Sequence, residues 1–240
     1  MTENINHKVP TYSVIVLMYH RSVDLVDMAR DCIASVQDSS TDYELVIVDN
    51  GSSQRFGWYK LCDTYIRLNR NYGISHGWNL GLKASRGKYK TIIGDDTIVS
   101  KGWLEALREA KDMPDCGVGQ IHVEHLPHGK EIVENYKWPS GACFMLDQNT
   151  IDKVGYFDEQ TYWPCNWEDW DYWFRVYKVG LKMYRNYHTS IQHREGATLH
   201  ANDLSEHFQD NKRRFIKKHG FDPTPIFTGD ADINQYLQSS

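Results

Sequence analysis

Two kinds of apolar pattern alternate along the first half of the chain. "SVIVLMY" (Ser13–Tyr19), the run Glu44–Val48 inside "YELVIVDNGSS", and "YKTII" ahead of Gly94 are short, continuous and rich in β-branched residues. Such runs suit strands buried on both faces. "TYIRLN" adds a strand over Thr64–Leu68. Between these runs, Leu25, Met28, Ala29, Cys32, Ile33 and Val36 recur at helical spacing, and "HGWNLGLKAS" reads as a second helix. Strand and helix alternating with short links predict right-handed βαβ units on a parallel sheet, an α/β fold.

The second half has a different grain. "KGWLEALREAK" predicts a helix, and "GVGQIHVEH" and "ACFMLD" predict strands separated by a polar, proline-containing loop. "WEDWDYWFRVYKVG" predicts a helix over Glu168–Val179, with acids in its first turn and Gly180 as its stop. "LKMYRN" and "TSIQH" predict two strands, "DLSEHFQDNKRRFIKKHG" a last helix, and the tail after Phe221 an irregular end.

The 240 residues, 40% hydrophobic and 25% charged, suffice for one large globular domain, and a net charge of −5 gives no global reason to expect a polyanion partner. Five cysteines without a CxxC pair argue against both a disulfide framework and a structural zinc site. With a polar N-terminus and no bilayer-length apolar stretch, they point to a protein of the reducing cytoplasm, with peripheral attachment to a membrane left open.

Candidate chemistry sits where strands end. Asp49 closes the second strand, and Asp95 and Asp96 follow the fourth, so two acidic clusters meet at the carboxyl edge of the sheet, where such folds bind ligands. Two adjacent carboxylates raise each other's cost of ionisation, which a turn in solvent or a divalent cation relieves. A second acidic group, Glu168, Asp169 and Asp171, opens the helix after Trp163 and Trp167. The helix dipole accounts for part of it, and Asp171, two positions past Asp169, reads as a cap or salt-bridge residue. The basic run from Lys212 to Lys218 reads as a solvated helix face.

Five segments in order, "SVIVLMYHR", "LVIVDNGSS", "NRNYGISHGWNLGLKASRGKYKTIIGDD", "WED" and "IQHREGAT", resemble the family 2 glycosyltransferases of the GT-A fold over roughly residues 13–198. The resemblance implies a Rossmann-like mixed sheet, mostly parallel, with helices on both faces. It implies one domain over residues 1–222, its nucleotide-binding half at about 11–100 and its acceptor half at about 101–222, followed by a tail over 223–240. It implies a nucleotide-sugar donor (UDP-, GDP- or dTDP-linked), a divalent cation (Mn²⁺ or Mg²⁺), and an acceptor glycan, glycolipid or other hydroxyl-bearing molecule. A nucleic-acid acceptor is left open but not indicated.

By the same resemblance Asp49 and Tyr19 meet the nucleobase, Asp95 the ribose or sugar hydroxyls, and Asn79, Gly141 and Ala142 the donor side of the site. Asp96 and His193 hold the metal, Asp169 is the base of an inverting transfer with Glu168 beside it, and Trp163 and Trp167 stack on the acceptor. The chain departs from the family pattern at Gly94, where an acid is usual, and in "LMYH" where "PTYN" is common. Those departures keep open a binding module without turnover. A nucleotidyltransferase is the weaker rival, because the loop after the first strand offers only Arg21 to a triphosphate.

Overall fold

The computed structural model describes residues 9–126, 128–134, 140–194 and 206–237. The apolar runs form β1 (Tyr12–Met18), β2 (Tyr43–Asp49), β3 (Thr64–Arg67) and β4 (Tyr89–Gly94). These pair in parallel in the order β3-β2-β1-β4, so β1 has β2 on one side and β4 on the other. Strand order reverses there, and the carboxyl ends of β1 and β4 frame a crevice.

Beyond β4 the sheet turns mixed. β8 (Cys143–Asp147) runs antiparallel to β4, and β6 (Cys116–Val123) antiparallel to β8. β9 (Lys182–His193) then runs parallel to β6 and antiparallel to β5 (Thr97–Val99) and to β7 (Ile132–Glu134). The two strands expected from "LKMYRN" and "TSIQH" are thus one. Its register against β6 slips between Asn186 and Ser190, a bulge whose polar residues look like a break in the sequence. β5 and β7, at three residues each, are too short for a periodic signal. Part of the loop expected before "ACFMLD", residues 127 and 135–139, lies outside the described residues, as do residues 195–205, which include the end of "IQHREGAT" and the expected start of the last helix.

Helices cover both faces. Val14 and Val16 of β1 join a core with α1 (Val23–Ser39) and α3 (Trp103–Lys111), while Ile15 points into a second core with α2 (Ile74–Ala84), α5 (Glu168–Lys178) and α6 (His207–His219). The "GWNLG" spacing explains how α2 sits so close to β1. A Cβ at Gly77 would lie 2.2 Å from Leu17 and one at Gly81 2.3 Å from Ile15, so a larger residue at either position would force the β1 side chain facing it to shift. The short α4 (Gln148–Val154) is capped by Asp147, which accepts from the Thr150 amide at 2.8 Å.

The stretch after Phe221, expected to be irregular, carries α7 (Thr224–Thr228) and α8 (Asn234–Leu237). Ile226 and Ile233 bury themselves against Phe215 and Phe221, and Tyr236 stacks on Phe221. Three apolar anchors spread over so polar a segment leave little periodicity to read. Among the described residues, no helix is long and apolar enough to cross a membrane.

Candidate active site

A cavity of about 400 Å³ opens at the carboxyl ends of β1 and β4. Tyr19, Asp95, Asp96, Gly141, Ala142, Glu168, Asp169 and His193 all line it, so most of the residues singled out in the sequence converge there. The fold explains how. β4 ends at Gly94 and delivers the two aspartates. β5 then pairs Thr97 with His193, and the Arg194 amide donates to the Asp96 carbonyl at 3.0 Å. This clamp sets the His193 imidazole 3.2 Å from Asp96 Oδ1.

Glu168 and Asp169 arrive from the opposite half of the sequence. Asn166 and Trp167 both hold positive φ, 73° and 76°, a conformation that costs non-glycine residues free energy and tends to be kept at functional sites. The turn they make starts α5 with both carboxylates at the cavity. Gly141 completes the fit, because a Cβ there would lie 2.9 Å from Asp169 Oδ2. Burial pushes the Asp169 carboxyl up to about 6, against a hydrogen bond from the Trp170 amide to its Oδ1 at 2.8 Å. Burial, reinforced by the Asp169 charge, pushes Glu168 well above the usual carboxylate range, and Glu168 Oε2 has no hydrogen-bond partner among the described residues. Two adjacent carboxyls in one dry site cannot both ionise cheaply, and burial raises both, which favours a proton held within the pair.

A family model described as glycosyl transferase family 2 matches residues 13–208. The chain belongs to this family. Among curated proteins it is similar to the uncharacterized glycosyltransferase EpsJ of Bacillus subtilis (strain 168), 31% identical over 121 residues that cover 45% of this chain and 34% of EpsJ. It is also similar to glycosyltransferase GlyG of Streptococcus pneumoniae serotype 4, 25% identical over 151 residues, 59% of this chain and 48% of GlyG. The chain thus spans between a third and a half of the curated relatives it matches.

Solved structures agree on the fold. GalNAc-T7 with UDP, GalNAc and Mn²⁺ superimposes with a TM-score of 0.65 at 13% identity, over 77% of this chain and 43% of that one. S. aureus TarS 1–349 gives a TM-score of 0.59 at 15% identity, over 86% of this chain and 65% of that one. The fold of this family 2 chain is that of the GT-A glycosyltransferases.

Four residues expected at the site do not line the cavity. Trp167 is only 4% exposed: its ring packs on Phe208 and Phe215 and its indole N–H donates to the Phe208 carbonyl, so it offers no face to a sugar. Trp163 is 48% exposed and sits next to Pro164, which lines the cavity, but does not line it itself. Asn79 is buried away from the cavity, its amide spent on Phe157 and Glu159. Asp49, also fully buried, accepts from the Ser52 amide, the Tyr65 hydroxyl and the Arg67 guanidinium, and it holds the turn after β2.

Asn71 and Asn50, by contrast, line the cavity and brace each other at 2.9 Å. Asp171 behaves as its position suggested: against its burial, a bond from His219 and ion pairs with Arg175 and Lys218 hold its carboxyl well below the usual range. Lys218 thereby leaves the basic run of α6 for an internal bond.

Asp96 and His193 suit a divalent cation in part. They offer one carboxylate oxygen and one imidazole nitrogen close together, and no group of three or more ligating side chains is assembled among the described residues. That donor set fits an ion carried in with a diphosphate, whose oxygens and water complete the shell, and not an all-protein cage.

Proposed function

We propose that the chain transfers a sugar from a nucleotide-diphosphate sugar to an acceptor hydroxyl, with a divalent cation and with inversion at the anomeric carbon. The observation that carries this reading is the meeting of Asp96–His193 and Glu168–Asp169 in one cavity at the carboxyl edge of a parallel sheet. GalNAc-T7, of the same fold, was crystallised with UDP, GalNAc and Mn²⁺, which supports the choice of donor and ion.

Asp96 and His193 would hold the cation, which when bound offsets the negative charge growing on the leaving diphosphate. Tyr19 and Asn71 line the nucleotide side, and Asp95 takes ribose or sugar hydroxyls. Asp169 accepts the acceptor's hydroxyl proton as that oxygen bonds to the anomeric carbon. The bond from that carbon to the diphosphate breaks on the opposite face, and its electron pair leaves with the phosphate. A carboxyl lifted to about 6 is ionised at neutral pH yet more basic than an ordinary aspartate, which suits this task. Protonated Glu168 has a hydrogen to donate toward the acceptor and places no second charge beside the base. Trp163, exposed next to the cavity, supplies the acceptor's stacking face.

A thermal-shift panel of UDP, GDP, dTDP and CDP, each with and without Mn²⁺, tests the donor half. A ligand at a hundred times its Kd adds about 2.7 kcal/mol, or about 5–10 °C for a chain of this size. A shift of that order with one nucleotide and Mn²⁺ supports the reading. No shift with any of them overturns it.

A further inference from the structure

His20 lies at the point where strand order reverses, just past the end of β1, and it faces the acids at the end of β4. The ring is fully buried, with Trp58 and Phe56 packed edge-on at 5.7 and 6.1 Å. Its main chain is pinned on both sides. The His20 amide donates to Ser52 Oγ at 2.9 Å, and its carbonyl accepts from the Ser53 amide at 2.9 Å. The turn that does the pinning is itself held by Asp49 through the Ser52 amide at 2.8 Å, with Arg67 on the far side of Asp49 and on the Ser52 carbonyl. So a line of hydrogen bonds joins the ends of four neighbouring strands, from Arg67 through Asp49 and Ser52 to His20. It reaches Asp95, whose Oδ2 lies 2.7 Å from His20 Nε2. Nδ1 is buried and has no hydrogen-bond partner among the described residues, so the ring's polar contact is spent on Asp95.

We propose that His20 is a positioning residue for the donor. It donates Nε2–H to Asp95 Oδ2 and fixes that carboxylate at the cavity wall before the nucleotide-sugar arrives. This rests on the reading of the cavity as a donor site. A bond at 2.7 Å from a fully buried ring takes rotamer freedom from this carboxylate before binding has to. Asp49 then contributes to donor binding at a distance, as the anchor of the turn that holds His20.

Two substitutions separate the hydrogen bond from plain packing. His20→Gln keeps an N–H at about the reach of Nε2 and loses the ring, whereas His20→Phe keeps the ring and loses the N–H. The measurement is the Kd for UDP, GDP, dTDP and CDP, each with Mn²⁺, by calorimetry, with the Tm of the unliganded protein as the fold control. His20→Phe should weaken the nucleotide that wild type binds on the order of 10-fold, the size seen when outer partners of ligating groups are lost, while His20→Gln stays within a few fold. The opposite ranking, or wild-type affinity in His20→Phe, overturns the role of His20 alone. Wild type that binds none of the four overturns the donor site and this inference together. Should His20→Phe not fold, a long-range proton–nitrogen NMR spectrum of wild type decides: a ring protonated at Nε2 supports the bond, and one protonated at Nδ1 alone overturns it.

Discussion

Asp95 and Asp96 at the end of β4, and Glu168 and Asp169 at the start of α5, are adjacent acid pairs lining one cavity, yet their surroundings differ. Each acid of the first pair has an imidazole beside it, His20 at 2.7 Å and His193 at 3.2 Å. The second pair has only a main-chain amide on Asp169 and no partner on Glu168 Oε2 among the described residues, and burial lifts both carboxyls. The fold therefore relieves like-charge repulsion in two ways, by flanking one pair with polar rings and by leaving a proton on the other. On the proposed function, the first arrangement suits holding charged ligands and the second suits moving a proton, so one motif type would serve two halves of the reaction.

Removing the carboxylate of Asp169 breaks the comparison most severely. Asp169→Asn should lower kcat by about 10²–10⁴-fold, the usual contribution of a positioned base, with nucleotide Kd unchanged. Sugar release from the donor in a coupled assay, beside calorimetry, checks both parts. Wild-type turnover would sink the assignment. Asp96→Asn should do the converse and remove the Mn²⁺-dependent part of the nucleotide's stabilisation, about 5–10 °C at saturating ligand. If the Mn²⁺ effect survived in Asp96→Asn, the two pairs would not divide the work as described.

The two pairs were legible in the sequence because each ends or begins an element whose pattern is strong. A continuous β-branched run stops at Gly94, and an amphipathic helix opens at Glu168. Residues whose role depends on the third dimension were not. Trp163 and Trp167 look alike in one loop, and only the positive-φ turn at Asn166 and Trp167 sends one ring into the core and leaves the other exposed. Asn79 and Asp49 sit on motif positions but spend their polar atoms on neighbours far off in sequence or across strands, which spacing does not record. His20 carries a usable signal: it follows β1 as Asp49 ends β2 and Asp95 follows β4, so the residues at these strand ends form a set.

A smaller effect sharpens the electrostatic half of the contrast. Asp169 has a folded pKa raised to about 6 from an ordinary 3.8, so the fold favours its protonated form. That preference stabilises the protein fully below about pH 4 and is lost as pH rises through 6. Glu168 acts with the same sign. Asp169→Asn, which does not ionise, should therefore match wild type in Tm near pH 4 and exceed it above pH 7. The gap should be on the order of 2 kcal/mol once partial exposure is allowed for, or several degrees. Thermal melts across pH 4–8 check it, and a gap that shrank with rising pH would contradict the sign. Activity should rise through the same window, because the base must lose its proton to work.

The smallest change tests the first pair at its odd position. Gly94 stands where the family usually has an acid, and restoring that acid looks as if it should strengthen metal binding. The geometry argues otherwise. A Cβ at position 94 would lie 2.6 Å from Asp96 Oδ1, the oxygen that faces His193, and 3.3 Å from Thr97 Oγ1. The backbone φ at Gly94 is not positive, so neither alanine nor aspartate strains the main chain there, and the end of a side chain is what must yield. Gly94→Ala should thus fold with nearly wild-type Tm while turning Asp96 away from His193, weakening Mn²⁺-dependent nucleotide binding on the order of 10-fold. Gly94→Asp should also weaken it, because the added acid displaces the ligand it was meant to assist. Calorimetric titration of Mn²⁺ with bound nucleotide separates the cases. Tighter binding in Gly94→Asp would show that Asp96 moves without cost and that the glycine is only a missing ligand.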